Sequence, residues 1–422
     1  MKEKILLWRD KVLGKLVDNV WENILEAEKV LSGVIHKTPV DYSATFSKMT
    51  GNKLYFKLEN MQKTGSFKVR GAYYKIFKHK DEIKGKGVIA ASSGNHAQGV
   101  AFASNSLGIK STIVMPEITP AFKVNATRNY GAEVVLYGKV YDEAYKKSIE
   151  ISQQTGSVFI HPFNDIEIMG GQGTIGLEIA SQLSDIDMVL VPVGGGGLIS
   201  GIGTAIKKLK PSTKVIAVEP KNAPKYYVSR KNGKIETIEP LPSLADGVVT
   251  KGVGDLTFEV MSEVVDDVVV VDENSIATAI YLMLERSKIM VEGAGALPLA
   301  AMLEGYYNNM NKKIALVVSG GNIDLTMLYR IIMKGLSSIG RIVVLKVLTK
   351  DQPGELAKIL NVLYKYKCNI VEVKHDRFSL RSPVGFASVE VIFEVPDIAV
   401  VERLKKDLIE MGIEVENSEH SK

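Results

Sequence analysis

Short runs of apolar residues alternate with longer amphipathic stretches through roughly the first 335 residues of the chain. The runs MVLVP and ALVVS are apolar at nearly every position, which is typical of strands buried on both faces. Strands are predicted at LYFKLE (54–59), GVIAA (87–91), STIVM (111–115), AEVVLY (132–137), DMVLVP (187–192), KVIAVE (214–219) and IALVVS (314–319). Their alternation with helices predicts an α/β fold with a mainly parallel sheet covered by helices.

The pattern changes after GLSSIGR (335–341), where glycine and serine cluster. RIVVLKVL, NIVEVKHD, ASVEVIFEV and IEVE then have the character of strands. Two helices are predicted from apolar residues at helical spacing, namely Leu356, Ile359, Leu360 and Leu363, and then Val401, Leu404, Leu408 and Met411. The order βαββαβ predicts a ferredoxin-like domain. We therefore expect one domain at 1–335, a linker at 336–341 and a second domain at 342–418.

Composition and charge narrow the class of protein. The 422 residues carry a net charge of +5 without a block of like charge, so no nucleic-acid partner is expected. Cys368 is the single cysteine, which excludes a disulfide within the chain and fits a reducing, cytoplasmic setting. The N-terminal stretch MKEKILLWRDKVLGKLV is charged throughout, and no apolar run approaches the roughly 18 residues that span a membrane. We expect neither a signal peptide nor a membrane partner.

Three predicted strands run directly into loops of small residues that open helices. The loops belong to the segments IAASSGNHAQGVAFA (89–103), VLVPVGGGGLISGI (189–202) and ALVVSGGNIDL (315–325). In open α/β sheets, ligands bind beyond the carboxyl ends of the strands. The three loops, although distant in sequence, therefore predict one shared pocket.

The loop GGGGL indicates an anion site. Its residues are Gly194, Gly195, Gly196, Gly197 and Leu198. Consecutive glycines leave backbone N–H groups accessible, and the following helix adds its positive end, so we expect a phosphate here. Close packing at a tight turn explains one or two glycines, but hardly four. A dinucleotide site is the alternative, because Glu219 lies at a suitable interval, although Ile199 replaces the last glycine of G-x-G-x-x-G.

The loop SSGNH offers hydroxyls, an amide and backbone donors at a helix start. Its residues Ser92, Ser93, Gly94, Asn95 and His96 suit a carboxylate ligand. Helix capping by one of the serines is the alternative reading, and a structural role for His96 is favoured over a catalytic one. In the third loop, Ser319 supplies a hydroxyl.

Lys68 follows Gly65 and Ser66 in the first turn of a predicted helix. The positive helix end and the apolar neighbours both disfavour a charged amine, so the lysine is expected to be a nucleophile. An ordinary surface lysine is the alternative. A reactive amine beside a phosphate site and a carboxylate site is what a pyridoxal phosphate enzyme acting on an amino acid requires.

The motifs KLENMQKTGSFKVRGA, SSGNHAQGVA, PVGGGGLISG, VEGAGA and SGGN together resemble those of the fold-type II pyridoxal phosphate enzymes. The threonine dehydratases are the most similar group, with serine racemases and serine dehydratases as near relatives. The resemblance covers about residues 20–330 and implies two parallel-sheet α/β subdomains, the smaller at roughly 65–165. The tail, with DQPGEL and its βαββαβ order, resembles a single ACT domain, a module that senses amino acids.

The resemblance also implies a role for each motif residue. Lys68 would bind the cofactor as an imine, with Phe67 against its ring, and Asn95 would hydrogen-bond the ring hydroxyl. The loop from Gly194 to Leu198 would bind the phosphate, and Ser319 would face the pyridine nitrogen. The substrate carboxylate would be surrounded by Ser92, Ser93, Gly94, Asn95 and His96. Ser93 also matches the second acid–base residue of the serine racemases.

The implied reaction is α,β-elimination, which converts L-threonine to 2-oxobutanoate and ammonia, and L-serine to pyruvate, as a first step toward isoleucine. An uncharged Ser319 makes the ring a weaker electron sink than an aspartate would, which favours early loss of the β-hydroxyl. Serine racemisation on the same fold is the alternative activity. A third alternative is an amino-acid sensor whose catalytic half is inactive.

The resemblance extends to regulation, assembly and metal binding. An effector, isoleucine or valine, would bind the ACT domain near Gly354 and Asn369 at a pairwise interface of a homodimer or homotetramer. A tail that only supports assembly is the alternative. Glu219 keeps one carboxylate of the racemase metal site, but Lys225 stands in place of the second. We therefore expect no metal, with Glu219 as the remaining candidate ligand.

Overall fold

The computed structural model describes residues 2–378 and 382–416, with side chains from residue 14 onward. The strands in these residues are β1 (Val40–Tyr42), β2 (Lys53–Leu58), β3 (Val88–Ala91), β4 (Ser111–Met115), β5 (Glu133–Leu136), β6 (Val158–Phe159), β7 (Met188–Pro192), β8 (Lys214–Pro220), β9 (Asp267–Val271), β10 (Lys313–Val318), β11 (Ile342–Lys350), β12 (Asn369–Asp376), β13 (Phe386–Glu394) and β14 (Glu414–Val415).

The α-helices are α1 (Lys2–Leu31), α2 (Ala44–Thr50), α3 (Lys68–Lys78), α4 (Lys80–Ile83), α5 (Asn95–Ser106), α6 (Ala121–Asn129), α7 (Tyr141–Thr155), α8 (Ile166–Gln182), α9 (Gly197–Leu209), α10 (Lys225–Asn232), α11 (Asp255–Val264), α12 (Glu273–Leu282), α13 (Gly293–Leu303), α14 (Leu325–Ser338), α15 (Glu355–Lys365) and α16 (Ala399–Glu410). Short 3₁₀ turns lie at Glu59–Met61 and Asp246–Val248, and a π turn lies at Met283–Ser287.

The chain divides into two compact units, Met1–Ile323 and Asp324–Lys422. The first unit contains a six-stranded sheet in the order β1-β2-β10-β7-β8-β9 and a four-stranded sheet in the order β5-β4-β3-β6. Every pair of neighbouring strands in both sheets is parallel except β1 with β2. The α/β fold with mainly parallel sheets is therefore confirmed.

Burial explains why the strands lack a polar face. Leu190 of β7 and Leu316 of β10 are fully buried, and so are their neighbours Val189 and Val317, which point to the opposite face of the sheet. Strands β1 and β6, which are only three and two residues long, were not predicted from the sequence, and neither was β9. Strand β9 follows α11 after two residues, with no glycine or proline to mark the boundary.

Glycines allow helices of the first unit to pack closely beside the sheets. A Cβ added to Gly171 of α8 would lie 2.5 Å from the Cα atom of Gly71 in α3. A Cβ added to Gly201 of α9 would lie 2.6 Å from the backbone nitrogen of Gly173 in α8. Because α3 and α9 each begin at a predicted site residue, these contacts fix where the two helices start relative to one another.

The second unit has the predicted βαββαβ order after α14. Its antiparallel sheet runs β12-β13-β11-β14, and β11, β13, α15 and α16 bury a core that includes Val347, Val391, Ile359 and Leu404. The boundary between the units lies before the expected residue 335. Because α14 extends to Ser338, the first half of the expected linker at 336–341 is the last turn of a helix. Met411, expected on the buried face of a helix, lies just after α16 and is exposed.

Among the helices in the described part of the chain, none is both long enough and apolar enough to cross a membrane.

Candidate active site

A cavity of about 1050 Å³ opens in the first unit where the three loops of small residues meet. It is lined by every residue predicted to contact the cofactor or the substrate, namely Phe67, Lys68, Ser92, Ser93, Gly94, Asn95, His96, Gly194, Gly195, Gly196, Gly197, Leu198 and Ser319. The loops follow β3, β7 and β10, so the shared pocket lies beyond the carboxyl ends of parallel strands, as expected.

Lys68 is the first residue of α3, and its side chain reaches into the cavity. The nitrogen Nζ donates a hydrogen bond to the carbonyl of Pro162 at 2.8 Å and lies 5.2 Å from the centre of the Phe67 ring. Burial lowers the pKa of Lys68 to about 8, although the charge of Glu292 partly opposes this effect. Since the backbone N–H of Phe67 donates to the carbonyl of Ser319 at 3.1 Å, the start of α3 is tied to the loop after β10.

The glycine loop presents a row of free backbone donors. Within the described residues, none of the N–H groups from Gly194 to Leu198 donates a hydrogen bond to a protein acceptor. They lie at the start of the thirteen-residue helix α9, whose positive end favours an anion. These unsatisfied donors are the structural observation that supports a phosphate site.

Packing, however, accounts for more of the glycines than the sequence analysis allowed. A Cβ added to Gly195 would lie 2.3 Å from the ring of Phe163, and one added to Gly197 would lie 2.9 Å from the carbonyl oxygen of Phe163. Gly194 approaches the Cα atom of Val248, and Gly196 has a φ of +99°. The expectation that packing explains hardly four glycines was wrong. Phe163 was not recognised, although it lies in the motif HPFND directly before α8.

Replacing Gly195 by alanine tests the glycine loop. The new methyl group would displace either the Phe163 ring or the loop, and overpacking of this kind costs about 1–3 kcal/mol. We expect the affinity for pyridoxal phosphate, measured by fluorescence titration of cofactor-free protein, to fall at least about tenfold. Gly252→Ala is the matched control, because its nearest neighbour would lie at an ordinary 3.6 Å. Equal cofactor affinities in the two variants would contradict the assignment of the glycine loop as the phosphate site.

Asn95 is held by a chain of side chains at the start of α5. Its Nδ2 donates to both carboxylate oxygens of Glu292, at 2.8 and 3.0 Å, and its Oδ1 accepts from Nδ2 of Asn322 at 2.8 Å. The same Asn322 nitrogen donates to the carbonyl of Thr64. Glu292 and Asn322 belong to the motifs VEGAGA and SGGN, but neither was assigned a role from the sequence.

The residues expected around the substrate carboxylate differ in whether their polar groups already form hydrogen bonds within the protein. The Oγ of Ser92 accepts a hydrogen bond from the backbone N–H of Gly94 at 3.2 Å, so this serine does serve the local turn. His96 is buried, and its Nε2 hydrogen-bonds the carbonyl of Ile160 at 2.9 Å. Burial lowers the pKa of His96 to about 3, and the nearby Lys68 charge adds to this shift. A neutral, structurally bonded imidazole agrees with the role favoured from the sequence.

Glu219 faces away from the cavity and contacts Lys225 instead. The two side chains are fully buried, with 3.1 Å between Lys225 Nζ and Glu219 Oε1. Nζ also donates to the carbonyls of Val193, Ala223 and Val248, at 2.7, 3.2 and 2.9 Å. Burial lowers the pKa of Lys225, but four oxygen neighbours require the three N–H donors of an ammonium group. Glu219 is therefore unavailable to a ribose, which removes the support for the dinucleotide alternative.

No group of three or more histidine, cysteine, aspartate and glutamate side chains is placed to hold a metal ion in the described parts of the chain.

The expected effector residues lie in the second unit. Gly354 has a φ of +93° and directly precedes α15, with open space around the position of a Cβ. Asn369 begins β12, and its Nδ2 donates to Glu394 at 3.3 Å.

The cavity fits a phosphorylated aldehyde that carries an aromatic ring. The free amides of the glycine loop suit the phosphate, and Lys68 supplies an amine with a lowered pKa. Phe67 offers an apolar surface, and Asn95 and Ser319 offer polar groups in the same cavity. Pyridoxal phosphate has all of the matching chemical groups.

Comparisons with known proteins agree with this chemistry. A family model described as "Pyridoxal-phosphate dependent enzyme" matches residues 31–320. The chain is 48% identical to "L-threonine ammonia-lyase" of Thermotoga maritima, over 93% of this chain and 98% of that protein. The processed form of threonine deaminase isoform 2 from Solanum lycopersicum has a TM-score of 0.72 and 38% identity, over 74% of this chain and 92% of that chain.

Maize serine racemase is also similar in structure. Its TM-score is 0.71 at 40% identity, over 75% of this chain and 97% of that chain. These structures confirm the expected fold of the first unit, and the family match covers the first two loops that line the cavity and the third as far as residue 320. The chain belongs to the family of pyridoxal-phosphate dependent enzymes.

Proposed function

We propose that the protein is an L-threonine ammonia-lyase, which converts L-threonine to 2-oxobutanoate and ammonia and also accepts L-serine. The observation that carries the proposal is the Lys68 amine, with its pKa lowered to about 8, in one cavity with the unsatisfied amides of the glycine loop. The 48% identity to a threonine ammonia-lyase over nearly the whole chain supports the choice of substrate.

Pyridoxal phosphate, when bound, supplies an aldehyde carbon that can accept an amine and a conjugated ring that withdraws electrons from the α-carbon of the substrate. Lys68 is the residue that would hold it. The same Lys68 nitrogen would serve as the base that accepts the α-proton of the substrate. A pKa of about 8 leaves a sizeable neutral fraction near neutral pH, which a base requires.

Other residues of the chain bind and orient the reactants. Helix α5 begins at Asn95, so the backbone and hydroxyl donors of Ser93 and Gly94 lie at a positive helix end suited to the substrate carboxylate. Asn95 lines the cavity with both ends of its amide fixed, the nitrogen to Glu292 and the oxygen to Asn322. Ser319 contributes a neutral hydroxyl, so the chain places no negative charge there to keep a ring nitrogen protonated.

Serine racemisation is the second candidate activity. Ser93 lines the cavity, and the similarity to maize serine racemase covers most of the first unit. A hydroxyl on one face of the α-carbon and the Lys68 amine on the other are what racemisation requires. The discrimination between threonine and serine concerns one methyl group, which is worth only about 1–3 kcal/mol.

The deciding experiment measures product formation by the purified protein with bound cofactor. We expect 2-oxobutanoate from L-threonine and pyruvate from L-serine, with D-serine as a minor product. D-serine formed faster than the sum of both keto acids would favour the racemase. If no amino acid turns over while the cofactor is bound, the inactive-sensor alternative is correct.

The pH dependence of cofactor attachment provides a further prediction. Because burial lowers the pKa of Lys68 to about 8, its neutral, reactive form becomes dominant above that pH. We expect the rate of colour development, after cofactor is added to cofactor-free protein, to rise with pH and level off above pH 8. An ordinary lysine amine, such as that of N-acetyl-lysine, should keep rising toward its pKa near 10.4. If the rates of the protein and of the free amine rise with pH in parallel, the pKa of Lys68 is not lowered.

We also propose that the second unit is an ACT domain that regulates the enzyme within isoleucine synthesis in the cytoplasm. The ferredoxin-like sheet, the open αL position of Gly354 before α15 and the exposed edge strand β12 support a ligand site completed by a second subunit of a homodimer or homotetramer. Isoleucine or valine is the proposed effector, and a coupling of about 1–3 kcal/mol would suffice. Measuring keto-acid production with and without isoleucine or valine tests this regulation. Equal rates would favour a tail that only supports assembly.

A further inference from the structure

Glu292 is a buried carboxylate in the wall of the active-site cavity. Its exposed fraction is 6%, and it lies immediately before α13. Its backbone N–H donates to the carbonyl of Gly320 at 3.1 Å. A Cβ added to Gly320 would lie only 2.5 Å from Oε1 of Glu292, whereas one added to Gly247 would lie 3.7 Å away. The missing side chain of Gly320 thus leaves room for this carboxylate beside the loop after β10.

Glu292 is the end of the hydrogen-bonded chain that holds Asn95. The chain runs from the Thr64 carbonyl through Asn322 to Asn95 and then to both oxygens of Glu292. Three of its four members are amides or carbonyls with a fixed hydrogen-bonding character. Glu292 is the one member that can gain or lose a proton, so the strength of the last two contacts depends on its ionisation.

Charged groups act on Glu292 from several neighbouring elements. Lys68 at the start of α3 and Lys123 in α6 are cations, and Asp246 in the 3₁₀ turn is an anion. None of the described cations forms an ion pair with Glu292. Burial and the Asp246 charge raise the pKa of Glu292 to about 7, although the Asn95 hydrogen bond and the two lysines oppose the shift.

We propose that Glu292 is a titratable positioning residue, which in its ionised form holds the Asn95 amide and supports a positive charge on the Lys68 nitrogen. In its protonated form it holds the Asn95 amide more weakly, because a carboxylic acid is a weaker acceptor, and it carries no charge to support that of the Lys68 nitrogen. The role acts through Asn95 and Lys68 rather than by contact with the substrate. The inference rests on the proposed function, because its measurement uses the colour of the bound cofactor.

The direction of the pH effect follows from the sign of the charge. A carboxyl group with a pKa of about 7 is roughly 90% ionised at pH 8 and roughly 10% ionised at pH 6. Lowering the pH from 8 to 6 therefore weakens the hold on Asn95 and removes a negative charge from beside the Lys68 nitrogen. Both changes should alter the environment of the cofactor over this interval and lower kcat/KM about tenfold.

The test compares the holoenzyme with Glu292→Gln, which keeps the shape and can still accept from Asn95 but cannot titrate. The visible absorbance of the bound cofactor and kcat/KM for L-threonine are measured from pH 5.5 to pH 9. We expect a spectral transition centred near pH 7 in the wild type and none in E292Q, and the fall in kcat/KM from pH 8 to pH 6 should be about tenfold smaller in E292Q than in the wild type. Glu239→Gln is the matched control, since Glu239 also lines the cavity but its side chain is 86% exposed.

Each outcome decides the proposal. A transition near pH 7 that persists in E292Q, or that E239Q also removes, overturns it. If E292Q does not bind the cofactor, Glu292→Asp decides, because it keeps a carboxyl group at a changed distance from Asn95. A displaced midpoint in E292D supports the proposal, and an unchanged midpoint overturns it. A wild-type protein that shows no cofactor colour, or that forms no keto acid, would instead reject the proposed function.

Discussion

Replacing Lys68 by alanine is expected to abolish both the colour of the bound cofactor and the formation of 2-oxobutanoate. The variant would lose the one nitrogen that is proposed both to attach the cofactor and to accept the α-proton, and this side chain lines the cavity. A single general base contributes about 10²–10⁴ in rate, so the combined loss in kcat/KM should be at least about 10³-fold. Absorbance spectra and a keto-acid assay measure the two effects.

A second lysine of the same segment provides the control. Lys63 is exposed, and its Nζ lies over the ring of Phe102 rather than in the cavity. Lys63→Ala should keep the colour and more than half of the activity. Reduction of the wild-type holoenzyme with borohydride, followed by peptide mapping, should place the cofactor on the peptide that contains Lys68. A label on any other lysine would overturn the assignment of the site.

Replacing Arg70 by alanine is expected to produce the largest loss of stability. Arg70 is fully buried, and its guanidinium contacts both carboxylate oxygens of Glu59 at 2.8 Å and Glu178 at 2.7 Å. Burial raises the pKa of Glu59, but the charge and hydrogen bonds of Arg70, together with Lys57 and Thr38, outweigh burial and keep this pKa below its ordinary value. Removing the arginine leaves a buried carboxylate without its main partner, which costs about 3–5 kcal/mol.

Urea unfolding followed by circular dichroism measures this loss. Arg70→Lys is the informative comparison, because it keeps the charge but cannot bond both oxygens of Glu59 in the planar fashion of a guanidinium. We expect a smaller loss in R70K than in R70A. Since Arg70 lies in α3 two residues after Lys68, cofactor affinity should fall in the same order. Lys57 also forms an ion pair with Glu178. A change in unfolding free energy below about 1 kcal/mol in R70A would show that Lys57 suffices to neutralise the buried carboxylates of Glu59 and Glu178.

The sequence predicted those features that depend on local pattern. Fully apolar strands such as β7 and β10 can be recognised because burial on both faces removes every polar position. The place of Lys68 in the first turn of α3 followed from the preceding Gly65 and Ser66, and the three strand-end loops followed from the small residues after apolar runs. The linker was misplaced because a Gly–Ser cluster can also end a helix, as α14 shows. A local pattern does not reveal whether a Gly–Ser cluster forms the end of a packed helix or an exposed linker.

The parts of the site that the sequence did not reveal depend on contacts between distant residues. Asn95, Glu292 and Asn322 are joined by hydrogen bonds, yet more than 190 positions separate Asn95 from Glu292. Phe163 explains two glycines of the loop only because α8 and α9 pack together. For the same reason, the glycine-rich motif alone did not show whether its glycines serve close packing or phosphate binding.

The position of Lys225 has a consequence for how the enzyme depends on its surroundings. Its ammonium group joins the ends of β7 and β8 through Val193 and Glu219, directly before the glycine loop. An inorganic ion in such a place would be lost whenever its free concentration fell. A cation that is covalently part of the chain cannot be removed by a chelator or diluted away. The loop should therefore keep its shape even when the cell is starved of divalent metals.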